Sequence, residues 1–173
     1  MTYVNHRNTE STKNAQREFK LGHHPSSKHS EVLSEMITLQ RSQRDQILIY
    51  ARAADPAECC GLIGGTEQNL ASSIYPLRNI AANTATSYEA APEDLFNAQR
   101  QMRDNGEELL AIYHSHPRSA EPAPSQTDVR LAYYPQALYF IIGLAGPTPV
   151  MRAFRISERE QLWNEVEYVI AGE

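Results

Sequence analysis

No stretch of this 173-residue chain is long and apolar enough to cross a bilayer, which takes about 20 consecutive, mostly apolar residues. The opening residues, MTYVNHRNTESTKNAQREFK, lack the apolar core of a secretory signal. The expectation is a soluble, cytoplasmic protein with no membrane partner. Excess positive charge is missing too. Lys and Arg number 16 against 21 Asp and Glu, a net charge of -5, and this argues against a nucleic-acid partner held mainly through phosphates. Cysteine is nearly absent. Cys59 and Cys60 are adjacent, and neighbouring cysteines form a strained, rare ring that staples nothing distant. They are expected to be two small side chains on opposite faces of a strand, at least one of them buried, rather than a redox or metal pair. Histidine is scarce where it matters. His6, His23, His24 and His29 all lie in a polar N-terminal stretch, which leaves only His114 and His116 for the rest of the chain.

Residues 1–35 are rich in Ser, Asn, Lys, Arg, His and Glu. Such a segment buries too little apolar surface to offset its ordering entropy, so it reads as a flexible tail whose histidines are solvated. A single domain is expected over residues 36–173. It opens with a short strand at MITL, residues 36–39. Ser42 with Asp45 resembles a capping box for a helix over 43–54, with Ile47, Tyr50, Ala51 and Ala54 on one face. ECCGLIGG, residues 58–65, reads as a buried strand, and SSIYPL and TSYEA as further strands. A helix begins at Pro92 and stops at Gly106, with Leu95, Ala98 and Met102 inward. LLAIYHSH, residues 109–116, is apolar on both faces until its histidines, as in a central strand. A helix over about 127–133, strands at ALYFIIGLA and VMRAFRI, and a final helix with Leu162, Val166 and Val169 as its stripe complete the pattern. The fold class is α/β, a mixed sheet with helices on its faces.

Strand side chains alternate, so His114 and His116 point the same way and can take adjacent corners of a tetrahedral metal. A catalytic zinc needs three protein ligands and an open position. Asp128 is the best third candidate, because the loop after His116 can fold back across the strand end. SQTD, residues 125–128, equally fits a helix N-terminus capped by Ser125, and both roles are compatible. A water activated at a metal needs a proton acceptor. Glu58 opens a buried strand, where it is either such a base or a solvated strand tip, and periodicity alone leaves both open.

An upstream Glu, then His-Ser-His-Pro, then Ser-x-x-Asp resembles the JAMM motif, E…H-[ST]-H-P-x(7)-S-x-x-D. Its positions here are Glu58, His114, His116, Pro117, Ser125 and Asp128, with RSAEPAP as the seven-residue spacer. AECCGLIGG, YPLRNIAANTATSYEAAPEDLF, YHSHP and YFIIGLAG are similar to the short bacterial members of the JAMM/MPN+ metallopeptidases, over about residues 36–156. The resemblance implies a fold like that of cytidine deaminases. It implies one zinc held by His114, His116 and Asp128, with Glu58 as general base and Ser125 as a hydroxyl that steadies the tetrahedral intermediate. It also implies a substrate: the C-terminal Gly-Gly tail of a ubiquitin-like or sulfur-carrier protein, cut immediately after the glycines, or alternatively an isopeptide conjugate of such a protein. A non-catalytic scaffold of the same fold is disfavoured by the intact ligand set. A nucleoside deaminase is disfavoured because P-C-x-x-C is missing. Ser115, on the opposite face of its strand, is expected only to pack or hydrogen-bond, and Pro117 to turn the chain into the site loop.

Overall fold

The computed structural model describes residues 36–66 and 68–172. The expected tail, residues 1–35, lies outside them. The element order is β1 (Thr38–Gln40), α1 (Arg41–Ala54), β2 (Cys60–Gly65), β3 (Ala71–Leu77), α2 (Pro92–Asn105), β4 (Glu108–His116), α3 (Gln126–Arg130), β5 (Leu138–Gly143), β6 (Val150–Ser157), β7 (Leu162–Val166) and β8 (Val169–Ala171). Six strands form one mixed sheet in the order β3-β2-β4-β5-β6-β7, and β1 pairs with β8 apart from it. Within the large sheet β4 and β5 run parallel, and the other pairs are antiparallel. Among the described residues no helix is long and apolar enough to cross a membrane.

The sheet has a core on each face, as an α/β layering requires. On one face Ile47 and Ala51 of α1 and Leu39 of β1 pack with Ile63, Tyr113, Phe140 and Ile142. On the other, Ala98 and Met102 of α2 and Val129 of α3 pack with Leu62, Ile112, Tyr139 and Ile141. Ile47, Ile63, Phe140, Ile141 and Ile142 are wholly buried, each stabilising the fold by about 1.5–3 kcal/mol relative to exposure. The middle strands β4 and β5 are apolar on both sides because both of their faces are covered.

Helix α2 follows its sequence signals. Pro92 lies in the first turn with Glu93 and Asp94, and Gly106 closes it at φ 67°, a left-handed conformation that glycine adopts without cost. Helix α1 starts earlier than expected. Its cap is Gln40, in a reciprocal box with Gln43, because Gln40 still has extended backbone from β1. Asp45, expected in the box, pairs with Arg44 instead.

Three further expectations are corrected. The helix expected over about 127–133 is confined to Gln126–Arg130. TSYEA is not a strand. It belongs to a loop that meets itself in a single bridge between Asn79 and Ala90. The final helix is absent, and β7 and β8 stand in its place. Leu162, the first residue of the supposed stripe, is 63% exposed, so no helical face is buried there. Strand β7 instead pairs with β6 from Ala153↔Val166 to Ser157↔Leu162, supplying partners to backbone groups of β6 that a helix would have left unpaired. Trp163 packs edge-on against Phe154, with ring centroids 5.4 Å apart. The β-branched Val166, Val169 and Ile170 suit the pleated surface.

Candidate active site

Strand β4 ends in the two histidines. His114 and His116 share the face of Ile112, and that is the face α3 covers. His114 is wholly buried. The two Nε2 atoms are 3.1 Å apart. Asp128 of α3 comes to meet them, with Oδ1 3.3 Å from His114 Nε2 and Oδ2 3.3 Å from His116 Nε2.

Asp128 is fixed by its helix. The Ser125 backbone N–H donates to Asp128 Oδ2 at 2.7 Å, and the Asp128 N–H donates to Ser125 Oγ at 3.1 Å. This is a reciprocal capping box, as the helix-terminus reading of SQTD expects. Asp128, the third helical residue of that box, also faces both imidazoles. The intervening loop turns at Pro117, and its Ser119 N–H bonds His116 O at 3.0 Å. It lies so close to the end of β5 that a Cβ on Gly143 would meet Ser119 O at 2.5 Å, so glycine is required at that position.

Glu58 arrives from the other side. Ser115 Oγ accepts the Cys59 N–H at 2.8 Å, and the Ser115 N–H donates to Cys59 O at 3.1 Å. Ser115 thus fastens the strand between the histidines to the residue after Glu58. Cys59 and Cys60 are both buried and free. Cys59 packs in the α1-side core and Cys60 lines the cleft, on opposite faces as expected. Burial pushes their thiols up, to about 11 and about 12, so neither is a ready nucleophile.

The electrostatics divide the groups by task. Burial pushes the His114 imidazole below its ordinary range, against the pull of Asp128. A neutral imidazole is a ligand rather than an ion-pair cation. Burial alone would raise the Asp128 carboxyl, but contacts from His114, His116 and Ser125 outweigh it and hold the group well below the usual carboxylate range. Glu58 goes the other way. Burial pushes it up to about 7, with Asp128 adding to the rise and His116 opposing it. Among the described residues no side chain or N–H hydrogen-bonds its carboxyl, although the residue is only 6% exposed.

Whether this set suits a metal is a question of spacing and orphaned polarity. A four-coordinate ion with bonds of about 2.0–2.1 Å separates its ligand atoms by about 3.3 Å. The 3.1 and 3.3 Å contacts here match that. His114, His116 and Asp128 each offer a ligand atom within 4.8 Å of the others. Two Nε2 atoms facing each other and a carboxylate gain from a shared cation, so the residues fit a metal.

Around this centre runs a cleft of about 490 Å³, with Glu58, His116, Ser125 and Asp128 on its polar side and Leu77, Leu95, Ile112, Leu131 and Tyr139 on its apolar side. One lining residue escaped the sequence reading. Tyr88 stacks on His114, with centroids 4.6 Å apart and planes at 28°. Its only signal was to be the single aromatic in TSYEA, a stretch taken for a strand.

Residues 40–157 match the family model described as prokaryotic homologs of the JAB domain. The chain belongs to this JAB-domain family. The matched span reaches from the cap of α1 to the end of β6 and takes in Glu58, both histidines, Ser125 and Asp128. The JAB-domain chain is 35% identical to a desampylase of Haloferax volcanii over 118 residues, 65% of this chain and 84% of that one. It is 34% identical to a CysO-cysteine peptidase of Mycobacterium tuberculosis over 64% of this chain and 75% of that one. It is 35% identical to a probable TtuB-protein conjugate cleaving protease of Thermus thermophilus over 62% and 67%. A solution structure of a Desulfitobacterium hafniense protein shares the fold with a TM-score of 0.70 and 36% identity, over 80% of this chain and 94% of that one. A JAB1/MPN domain protein from Archaeoglobus fulgidus aligns at TM-score 0.52 and 19% identity, over 78% and 98%, and supports the fold alone.

Proposed function

We propose that this JAB-domain protein is a zinc-dependent peptidase. It hydrolyses the peptide bond after the C-terminal Gly-Gly tail of a ubiquitin-like or sulfur-carrier protein. The observation that carries the reading is the buried residue Glu58, whose carboxyl no described residue hydrogen-bonds, lining the same cleft as His116 and Asp128 of a ligand set spaced for one metal ion. His114, His116 and Asp128 would hold the zinc, which when bound polarises the scissile carbonyl and acidifies water.

The chain's own groups then divide the work. Glu58, poised near neutral pH, takes the proton of the attacking water on its carboxylate and returns it to the leaving amine. Ser125 Oγ accepts the Asp128 N–H, so its own O–H remains to donate to the developing oxyanion. The capping box keeps both groups in one frame. The apolar side of the cleft excludes water from the bond being cut. Glycines suit such a site because their backbone approaches closely without a side chain.

A relative named for CysO-cysteine and another for TtuB-protein conjugates support a carrier-protein substrate. The second name also favours the alternative of an isopeptidase acting on conjugates. Mass spectrometry of carrier fusions before and after incubation tests the proposal. Cleavage directly after Gly-Gly, abolished by a chelator, is expected. Equal rates on Gly-Gly and bulky tails of the same carrier would point to a general peptidase instead.

A further inference from the structure

The segment between β3 and α2, residues 78–91, wraps around one side chain. Asn79 is half-buried at its start. Asn79 Nδ2 donates to Glu58 O at 2.9 Å and to Ser87 O at 3.0 Å. Asn79 Oδ1 accepts the N–H of Ala81 at 3.0 Å and of Glu89 at 3.1 Å. An amide has two N–H donors and an oxygen with two lone pairs, and here all four are used. Every partner is backbone, and the pattern fixes which atom is nitrogen, because the reversed amide would aim N–H at N–H.

These partners are not scattered. Ser87 and Glu89 flank Tyr88, the ring stacked on His114. Glu58 is the residue whose carboxyl has no hydrogen-bond partner among the described residues. The loop also grips Glu58 from behind, since the Glu58 N–H donates to Thr84 O at 2.6 Å. Two backbone bonds close the loop's base, Ile80 N–H to Glu89 O at 2.8 Å and Ala91 N–H to Arg78 O at 2.9 Å. Among the described residues the buried Nδ1 of His114 has no hydrogen bond. Metal-ligating histidines usually donate that second nitrogen to a partner that fixes the ring. Here the ring is steadied by Tyr88, and Tyr88 is bracketed by Asn79.

We infer that Asn79 is a positioning residue that locks the backbone carrying Glu58 to the loop carrying Tyr88, so that the base and the histidine face are set by one amide. The inference rests on the proposed peptidase reading for its kinetic consequence, but its structural content does not. Asn79 touches neither substrate nor metal. It acts through Glu58 and Tyr88.

Asn79→Asp separates the two halves of the clamp. The carboxylate keeps acceptors for Ala81 and Glu89 but sets an oxygen against the carbonyls of Glu58 and Ser87. Two readouts are taken on the full chain. The first is amide hydrogen exchange of zinc-loaded and metal-free protein, which needs no activity. The Glu58 amide, which bonds Thr84 and not Asn79, should exchange about tenfold faster, while Ala81 and Glu89 stay near the wild-type rate. The second is turnover on a carrier fusion that the wild type cleaves, at saturating zinc. There kcat should fall by about tenfold to a hundredfold, the cost of misplacing a reacting group, with KM within about threefold. Should the aspartate variant not fold, Asn79→Ala takes its place. That variant releases Ala81 and Glu89 as well, and the Glu58 amide and kcat remain the deciding readouts. A Glu58 amide at the wild-type rate, or a kinetic loss confined to KM, overturns the inference. A wild type that cleaves no carrier sinks the peptidase reading and leaves the exchange result to stand or fall alone.

Discussion

Strand β4 has a glutamate near each end, and the two are treated oppositely. At its start, Glu107 is fully engaged. Ser73 Oγ donates to Oε1 and Tyr75 OH to Oε2, both at 2.6 Å, and Asn105 Nδ2 donates to the Tyr75 oxygen at 3.2 Å. Gly64 makes room, since a Cβ there would meet Glu107 Oε2 at 2.5 Å. This carboxylate staples β3 to the turn after α2. At the other end Glu58 is more deeply buried, has no hydrogen-bond partner for its carboxyl among the described residues, and is pushed up to about 7. A carboxylate whose acceptor sites are filled holds structure together. One buried without partners is left free to exchange a proton.

The sharpest test of that division removes the groups beside Glu58. His114→Ala or Asp128→Ala should lose bound zinc and with it essentially all turnover, read by metal analysis and a cleavage assay. Were Asp128 only a helix cap, its loss would cost about 1 kcal/mol and leave zinc in place. Next in size, Glu58→Gln should keep zinc and fold while turnover drops by about 10²–10⁴-fold. Near-normal rates would show that another group takes the proton. Ser125→Ala should retain zinc and lose on the order of a hundredfold in rate, the typical effect of removing one oxyanion donor. Glu107→Gln should do the reverse of Glu58→Gln. We expect about 1–2 kcal/mol lost in denaturant unfolding with turnover unchanged. A turnover loss there would erase the contrast between the two ends.

The smallest effect concerns pH. Glu58 holds its proton in the folded, metal-free chain up to about 7, well above the value near 4.5 of an unfolded glutamate. The penalty for burying its charge is therefore absent below about pH 4.5 and fully felt above about pH 7. Metal-free wild type should lose stability as pH rises through that window, and Glu58→Gln should lose less. Parallel melting curves of the two across pH 5–8 would contradict the assigned burial cost.

Much of the site is legible in the sequence. His-Ser-His sends two imidazoles to one face because strands alternate, and Ser-x-x-Asp closes a capping box because an N-terminal turn leaves backbone N–H groups free. Both rules are local, and both held. Helix α2 was legible for the same reason, from Pro92 to Gly106. The failures share a different cause. Leu162, Val166 and Val169 fit a helical stripe and also fit two strands, and the choice fell to the open edge of β6 and to β1, neither of which is visible in that segment alone. Gln40 displaced Ser42 as a cap because the preceding strand fixed its backbone. Tyr88 was misread because the loop that carries it has no period at all.

What the sequence determined by itself was therefore the chemistry: which donors exist, which share a face, and that Ser125 caps α3. Those follow from backbone geometry over a few residues. Only the tertiary structure decided that Glu58, 56 positions before His114, lies beside the candidate ligand set with no hydrogen-bond partner for its carboxyl among the described residues, and that Glu107 does not. Burial and partnering are properties of what packs around a group, and here they come from strands and loops distant in sequence. The same carboxyl group is a hydrogen-bonded staple at one end of β4 and the proposed base at the other because of its surroundings.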